Sequence, residues 1–232
     1  YEAVVNSIHA IEERRLEDSS FCDGAISIEI IRSQQLALPG TTELAPVEGF
    51  RVVDNGIGFN ERNMASFLES DSTYKAELGG KGVGRFSWLK AFNSVSISST
   101  FKDNDSFVRR EFVFSLNKAF IEDSLTECTD STDYATVVTL DSYLPEYKND
   151  VPKQMSTIAM RVIQHCLVYF LDASCPEIVI IDEDGSQSLN QLFKEKFKTD
   201  DNTVVFEINN TRFSLLNAKI EDRAFPGNRL YL

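Results

Sequence analysis

Basic side chains are scarce in this sequence. It has 23 lysines and arginines against 36 aspartates and glutamates, which gives a formal net charge of −13. Because binding to nucleic-acid phosphates needs clustered basic side chains, we do not expect this segment to bind DNA or RNA. Long apolar runs are also missing, since Glu29, Arg32 and Asp172 interrupt the longest candidates before the ~20 residues that span a bilayer. A membrane role is therefore not expected, and the partners are predicted to be proteins.

Cysteine and histidine are too few and too scattered to indicate a metal site. The four cysteines show no CxxC spacing, and only two histidines occur in the sequence. We expect Cys22, Cys128, Cys166 and Cys175 to be reduced core thiols, which is typical of a cytoplasmic protein.

Three short stretches carry residues suited to a nucleotide site. Glu2-Ala3-Val4-Val5-Asn6 places a carboxylate and an amide four residues apart, on one face of a predicted helix. Asp54-Asn55-Gly56-Ile57-Gly58 follows an apolar run and ends in a glycine turn. Gly79-Gly80-Lys81-Gly82-Val83-Gly84 precedes a helical stretch, and such a loop presents backbone N–H groups to phosphate. Together these stretches predict an ATP site.

The order and spacing of these stretches resemble the GHKL superfamily of ATPases, which includes gyrase, the heat-shock chaperone, histidine kinases and MutL and has the Bergerat fold. The first stretch, Glu2 to Ala10, is most similar to the branch of MORC proteins, MutL and the chaperones, in which a glutamate precedes the asparagine. Two positions depart from the family pattern. His9 stands where an acid is frequent, and Ala135 replaces the usual glycine before Thr136.

The resemblance implies a role for each residue that matches a family motif. Glu2 would orient and deprotonate the attacking water as a general base, a contribution on the order of 10²- to 10⁴-fold. Asn6 would bind Mg²⁺ through a neutral oxygen donor. Asp54 would accept a hydrogen bond from the adenine amino group, and Thr136 would support Asp54 and a water molecule. At Gly56 and Gly58 the backbone would lie against the adenine ring.

Taken singly, Glu2 and the turn after Asp54 are more typical of an ordinary helix surface and a tight turn, and the combination of the three stretches favours the nucleotide site. The glycine loop is not a P-loop, because no GxxxxGK[ST] pattern is present, and it resembles the glycine lid of the chaperone and MORC branch. Residues 69–81 are polar without periodicity and are interpreted as a mobile lid. Lys75 and Lys81 are candidate phosphate contacts or solvated lysines, and Met64 is a candidate for the adenine pocket or the core. The predicted phosphate contacts of the loop are Gly80, Lys81, Gly82, Val83 and Gly84.

The element pattern predicts a two-layer α/β sandwich for residues 1–148, the ATP-binding domain implied by the resemblance. The prolines and charges from Pro145 to Pro152 indicate a boundary. Residues 149–232 are expected to begin a second, transducer-like α/β domain that is truncated at Leu232. The predicted helices cover residues 2–16, 60–68, 83–92, 155–171 and 189–197, and the predicted strands cover residues 25–31, 50–53, 95–101, 107–114, 135–140 and 177–181, with two more hinged at Asn209-Asn210.

The resulting hypothesis is a slow, Mg²⁺-dependent ATPase whose lid closure drives conformational switching of a larger protein or its dimerisation, in the manner of a chaperone. Its partners would be other proteins or a second copy of itself. Two alternatives stay open: phosphotransfer of the histidine-kinase type, and a nonhydrolysing ATP-binding interaction module. Neither His9 nor His165 has a recognisable phospho-acceptor setting, and Glu2 indicates water as the acceptor.

Overall fold

The computed structural model describes residues 1–34, 44–68, 84–115, 122–129, 133–209 and 211–220. Within these ranges the chain alternates strands with short helices. The helices are α1 (Glu2–Glu17), α2 (Glu61–Leu68), α3 (Gly84–Ala91), α4 (Met155–His165), α5 (Leu167–Phe170) and α6 (Leu189–Lys196). The strands are β1 (Ala25–Arg32), β2 (Val47–Asp54), β3 (Phe92–Asp103), β4 (Ser106–Ser115), β5 (Asp123–Glu127), β6 (Ala135–Tyr143), β7 (Glu177–Asp182), β8 (Gly185–Ser188), β9 (Phe197–Ile208) and β10 (Thr211–Ile220).

These elements confirm most of the sequence predictions, with differences at one helix and at two strands. The long helix predicted after residue 155 is divided at Cys166 into α4 and α5. Two strands were missed, because every residue of β5 is exposed and β8 has the polar sequence Gly-Ser-Gln-Ser, so neither shows an apolar alternation. The proposed lid at residues 69–81 lies outside the described residues, and so does the strand expected from Leu230 onward.

Eight strands form one mixed sheet in the order β5-β4-β3-β6-β2-β1-β7-β8. The strand pairs are antiparallel except that β1 runs parallel to β7. Alternate residues of the central strands are buried, as expected for a sheet with one face against helices. Helix α1 contacts β1 and β2, α3 contacts β3, and α4 and α6 contact β7. The predicted α/β class is confirmed.

Helix α1 lies over the middle of the sheet. Its apolar side chains recur at helical spacing, and Ile8 and Ile11 are completely or almost completely buried. Burying one such side chain stabilises the fold by about 1.5–3 kcal/mol. Arg14 and Arg15 lie in the last turn of the helix, where positive charge interacts favourably with the helix dipole. The sheet and its core thus fix the position of the helix that carries Glu2 and Asn6.

The sheet continues across the predicted domain boundary at residues 148/149. Strand β7 pairs with β1, and the ion pair between Arg32 and Asp182 joins the ends of these two strands with side chains 2% and 9% exposed. The Arg32 guanidinium also donates hydrogen bonds to the carbonyls of Ala45 and Lys153, and it holds the pKa of Asp182 below its usual range. Residues on both sides of the predicted boundary therefore share one sheet.

The hairpin of β9 and β10 forms a separate two-stranded sheet. The position at which a second domain begins stays a prediction. Within the described ranges, no helix is both long and apolar enough to cross a bilayer.

Candidate functional site

Asp54 ends strand β2 on the buried face of the sheet and is only 4% exposed. Ser7 of α1 donates a hydrogen bond of 2.7 Å to its Oδ2 atom, and the backbone N–H of Gly56 donates one of 2.8 Å to Oδ1. Hydrogen bonds to a charged acceptor contribute about 1.5–3 kcal/mol each, and a buried carboxylate without them would be costly. The strand, the turn and helix α1 therefore meet at this carboxylate.

A row of polar side chains crosses the buried face of the sheet at Asp54. Asp54 of β2 is paired with Thr136 of β6, Thr136 with Ser99 of β3, and Ser99 with Arg110 of β4. Directly paired residues lie on the same face of a sheet, and all four are buried. The Ser99 and Thr136 hydroxyls are hydrogen-bonded to each other at 2.9 Å. The row forms the polar floor under the turn that follows Asp54.

Two glycines allow this turn to lie close to its neighbours. A Cβ atom on Gly56 would lie 2.6 Å from Cβ of Ala10 in α1 and 2.9 Å from Oδ1 of Asp54. Gly58 has φ +80°, and its Cβ would lie 2.9 Å from Oγ of Ser99. Both positions therefore exclude other residues, through close approach at Gly56 and through close approach and positive φ at Gly58.

The side chains of Asn55 and Arg14 hold the turn in place. Asn55 accepts a hydrogen bond from the Ala25 N–H at 2.9 Å and donates one to the Asp23 carbonyl at 2.8 Å. Arg14 donates to the Asn55 carbonyl at 2.6 Å. Its guanidinium lies between the rings of Phe21 and Tyr134, at 3.8 and 4.0 Å from their centroids. The arginine is thus fixed from both sides, as cation–π contacts favour.

Arg110, at the far end of the polar row, reaches the end of the same turn. Its Nη1 donates to the Phe59 carbonyl at 2.7 Å, and the guanidinium forms ion pairs with Glu61 and Asp123. The Phe59 N–H in turn donates to Ser99 Oγ at 3.0 Å. Both backbone groups of Phe59 are therefore paired with the floor.

Glu2 and Asn6 lie on α1, on the side opposite its apolar contacts, and both are half-buried. Glu2 Oε1 lies 4.0 Å from Nε2 of His165, which belongs to α4. Asn6 immediately precedes Ser7, the residue that binds Asp54. The helix therefore connects the predicted metal ligand and the predicted base with the buried carboxylate.

Glu2, Asn6, His9 and Glu13 form a polar stripe along this side of α1. His9 is 7% exposed, with its Nε2 2.8 Å from the Tyr169 hydroxyl of α5, and Glu13 forms an ion pair with Arg62 of α2. The stripe is packed at these two positions because α5 and α2 cover them.

The remaining predicted contacts lie in the core or outside the described residues. Met64 is 5% exposed and belongs to the hydrophobic core under α2. Gly84 is the first residue of α3, which contacts α1 and β3. The other predicted phosphate contacts lie outside the described residues: Lys75, Gly80, Lys81, Gly82 and Val83.

Sequence reasoning missed Ser7, Ser99 and Arg110. Ser7 has a local signal, because it follows Asn6 on the helix that carries the motif. Ser99 and Arg110 have none, since a serine or an arginine in a strand is common. Their role comes from the strand register, which places Ser99 beside Thr136 and Arg110 beside Ser99.

No protein-family model and no curated protein matches the sequence. Among solved structures, the chain is similar to the ATPase region of Saccharomyces cerevisiae topoisomerase II, with a TM-score of 0.51, 14% identity and coverage of 86% of this chain and 53% of that one. The same region bound to ICRF-187 (dexrazoxane) matches with a TM-score of 0.50 and 14% identity, over 89% of this chain and 57% of that one. The Aquifex aeolicus MutL ATPase domain complexed with ADP has a TM-score of 0.47 and 14% identity, over 85% and 68% of the two chains.

This chain thus spans about half the length of the topoisomerase II region that it matches. At this level of identity the matches establish the fold, and the narrower similarity to the MORC, chaperone and MutL branch stays a prediction. These matches show that the chain has the Bergerat fold.

Proposed function

We propose that this chain binds ATP with Mg²⁺ and hydrolyses it slowly. The observation that carries the proposal is the hydrogen bond from Ser7 to Asp54, which attaches the helix of Glu2 and Asn6 to the buried carboxylate. At 1.5 Å per residue, Glu2 lies about 7.5 Å along the helix axis from Ser7. One helix thus connects the residues that would recognise adenine with those that would act on the phosphates.

The surroundings of Asp54 fit an adenine. The Asp54 oxygens accept hydrogen bonds from the Ser7 hydroxyl and from the Gly56 N–H, and an ionised carboxylate is an acceptor only. An exocyclic amino group is a donor, so its chemistry matches that of the acid. The two glycines let the turn pack directly against α1 and β3, which fixes the position of the acid.

Asn6 fits a magnesium ion that keeps most of its water ligands. The amide oxygen is a hard, neutral donor, and Mg²⁺ typically takes only one or two protein ligands beside the phosphates. The ion would neutralise charge on the phosphate oxygens. Asn6 is half-buried on α1, so its side chain is held by the helix and stays accessible.

Glu2 fits the general base. Its side chain is 36% exposed, so bulk water reaches the carboxylate. In the proposed reaction, Glu2 accepts a proton from the water that attacks the terminal phosphorus. The bond from this phosphorus to the bridging oxygen breaks, ADP leaves with the electron pair, and inorganic phosphate is the other product. The main contribution of the chain is to hold the water, the base and the phosphate in line.

The output of the proposed reaction is a conformational change. We propose that the segment 69–81, which lies outside the described residues, closes over the phosphates and that closure switches contacts with partner proteins or with a second copy. The position of α3 supports this coupling, because α3 begins at Gly84 and contacts α1. We also propose a cytoplasmic location, on the strength of the scattered cysteines.

The experiment is a calorimetric titration with Mg-ATP together with a hydrolysis assay on the wild type and Glu2→Ala. We expect binding in both proteins and a loss of turnover on the order of 10²- to 10⁴-fold in the variant. Glu146→Ala is the matched control, because Glu146 is exposed in the turn after β6 and its loss is expected to change neither quantity.

Three other outcomes would contradict parts of the proposal. No heat of binding with Mg-ATP would overturn the nucleotide site. Binding without turnover in the wild type would support the nonhydrolysing module. Base-stable labelled phosphate on the protein would support phosphotransfer to histidine.

A further inference from the structure

Three side chains of α4 and α5 form a ridge that faces α1. Arg161, His165 and Tyr169 are spaced four residues apart, and Cys166 joins the two helices. The ring of His165 stacks on Tyr1 at a centroid distance of 4.7 Å. Burial raises the pKa of the Tyr1 phenol, and the positive charge of Arg161 opposes this rise. The ridge therefore contacts the beginning of α1 through His165, with Arg161 nearby.

The third member of the ridge fixes α5 to the same helix. The Tyr169 hydroxyl lies 2.8 Å from His9 Nε2, and the two rings meet edge to face at 5.6 Å. His9 is buried, so this contact is shielded from water. Tyr1 and His9 are eight positions apart, and contacts at both residues fix the ridge against the face of α1 that lies between them.

Glu2 lies on that face, and His165 is the ridge residue beside it. The closest pair of atoms is His165 Nε2 and Glu2 Oε1, at 4.0 Å, and the two side chains are 44% and 36% exposed. A side-chain rotation that shortens this distance by about 1 Å would allow a hydrogen bond between the two atoms. The imidazole is thus the neighbour placed to orient the carboxylate.

We propose that His165 is a positioning residue for Glu2, and that its Nε2–H donates to the carboxylate and aims the other oxygen at the attacking water. This inference rests on the proposed function. The imidazole transfers no proton in this role; it restricts the rotation of the glutamate. Because orientation of a base contributes to turnover and not to ATP affinity, His165 acts on kcat.

The charge state of His165 suits a donor of this kind. Burial lowers the pKa of His165, and the smaller effect of Glu2 raises it. Since the net direction is below the ordinary value of about 6.5, the imidazole is neutral at pH 7.5 and offers one N–H. A neutral donor orients Glu2 without the full charge pairing that would make the carboxylate a weaker base.

The test compares His165→Ala with His165→Gln in the full chain. We expect His165→Ala to lower kcat about tenfold, the lower end of the range for a hydrogen bond to a charged group, because both side chains are partly solvated. The Kd for Mg-ATP is expected to stay within about twofold of the wild type. His165→Gln keeps a side-chain N–H of similar reach and is expected to recover most of kcat.

Val168→Ala is the matched control, because Val168 is an exposed residue of α5 and lies outside the ridge. We expect it to leave kcat and Kd unchanged. An equal loss of kcat in His165→Ala and His165→Gln, or a parallel loss of ATP affinity, would show a merely structural role and overturn the inference. Thermal unfolding of each variant identifies any that fail to fold, and His165→Asn then replaces such a variant.

The Glu2→Ala assay separates this inference from the proposed function. If Glu2→Ala abolishes turnover and His165→Ala leaves kcat at the wild-type value, the positioning role is wrong and the ATPase proposal stands. If Glu2→Ala hydrolyses ATP at the wild-type rate, the proposed base is wrong, and the inference fails with it.

Discussion

The two ends of the candidate site are built differently. At the Asp54 end, the side chains of Ser7, Asp54, Ser99 and Thr136 are all buried and joined by hydrogen bonds to each other or to backbone groups. At the Glu2 end, the side chains of Glu2 and His165 are each more than a third exposed, and their closest atoms are 4.0 Å apart. The first end is built from buried side chains, whereas the second is partly open to solvent.

This difference follows from what each end has to do. Recognition of adenine needs donors and acceptors in fixed positions. A buried carboxylate is tolerated only when its hydrogen bonds are satisfied. Hydrolysis needs a water molecule and an exit for phosphate, so Glu2 has to stay reachable. We therefore expect substitutions at the Asp54 end to affect stability and binding together, and substitutions at the Glu2 end to affect chemistry with little change in stability.

The largest effect within this comparison is expected for Asp54→Asn. The amide presents an N–H₂ group where Ser7 and Gly56 require two acceptors, and it removes the charge from the hydrogen bonds. Losing a hydrogen bond to a charged group costs about 1.5–3 kcal/mol, so the Kd for Mg-ATP should rise roughly 10- to 150-fold. Isothermal titration calorimetry measures this change, and thermal unfolding should show a lower Tm.

The control for Asp54→Asn is Asp141→Asn, which removes the same charge from an exposed position of β6. We expect no change in Kd or Tm for this variant. Equal losses in both variants would mean that net charge, and not the hydrogen bonds of Asp54, governs ATP binding.

An intermediate effect is expected for Gly56→Ala. The added methyl group meets the Cβ and the carbonyl carbon of Ala10 at 2.6 and 2.7 Å, so the turn or α1 has to shift. Such overpacking costs about 1–3 kcal/mol in the free energy of unfolding, which urea denaturation measures. In an Ala10→Gly background the methyl clash is removed but the backbone contact stays, so the cost should shrink without vanishing. Full additivity of the two substitutions would show that this contact is not the cause.

The smallest effect on stability is expected for Asn6→Ala at the open end. Alanine has a higher helix propensity than asparagine, and Asn6 is only half-buried, so the free energy of unfolding should change by less than about 0.5 kcal/mol. The function should change nevertheless. We expect ATP affinity to be raised by Mg²⁺ in the wild type and to be insensitive to Mg²⁺ in Asn6→Ala.

The matching measurement repeats the titration with excess chelator. Both proteins should then bind ATP equally, because only the metal-dependent part of the affinity involves Asn6. A drop of several degrees in the Tm of Asn6→Ala would contradict the contrast between the two ends.

Local features of both ends were predictable from the sequence. The spacing of Glu2 and Asn6 places them on one helix face because 3.6 residues make one turn. The glycines after Asp54 predict a turn that only they allow, and Gly58 indeed has a positive φ. The alternation of apolar residues located most strands and failed at β5 and β8, where no residue alternates between core and solvent.

Partners distant in sequence were not predictable. Ser7 and Asp54 are 47 residues apart, and His9 and Tyr169 are 160 residues apart. The sheet also continues across the expected boundary at residues 148/149, since β7 pairs with β1. This pairing was not predictable, because it leaves no signal in the composition of the segment between the two strands. Such contacts depend on which faces pack together.

The amino-acid order by itself determined the helix with Glu2 and Asn6, the acid at the end of β2 and the two glycines of the turn, because covalent geometry relates residues within about ten positions of each other. The tertiary structure decided that Ser7 reaches Asp54, that Ser99, Thr136 and Arg110 form its floor, and that His165 lies beside Glu2. Strand register and the packing of α1 against α4 and α5 set these contacts, and both are properties of the whole core.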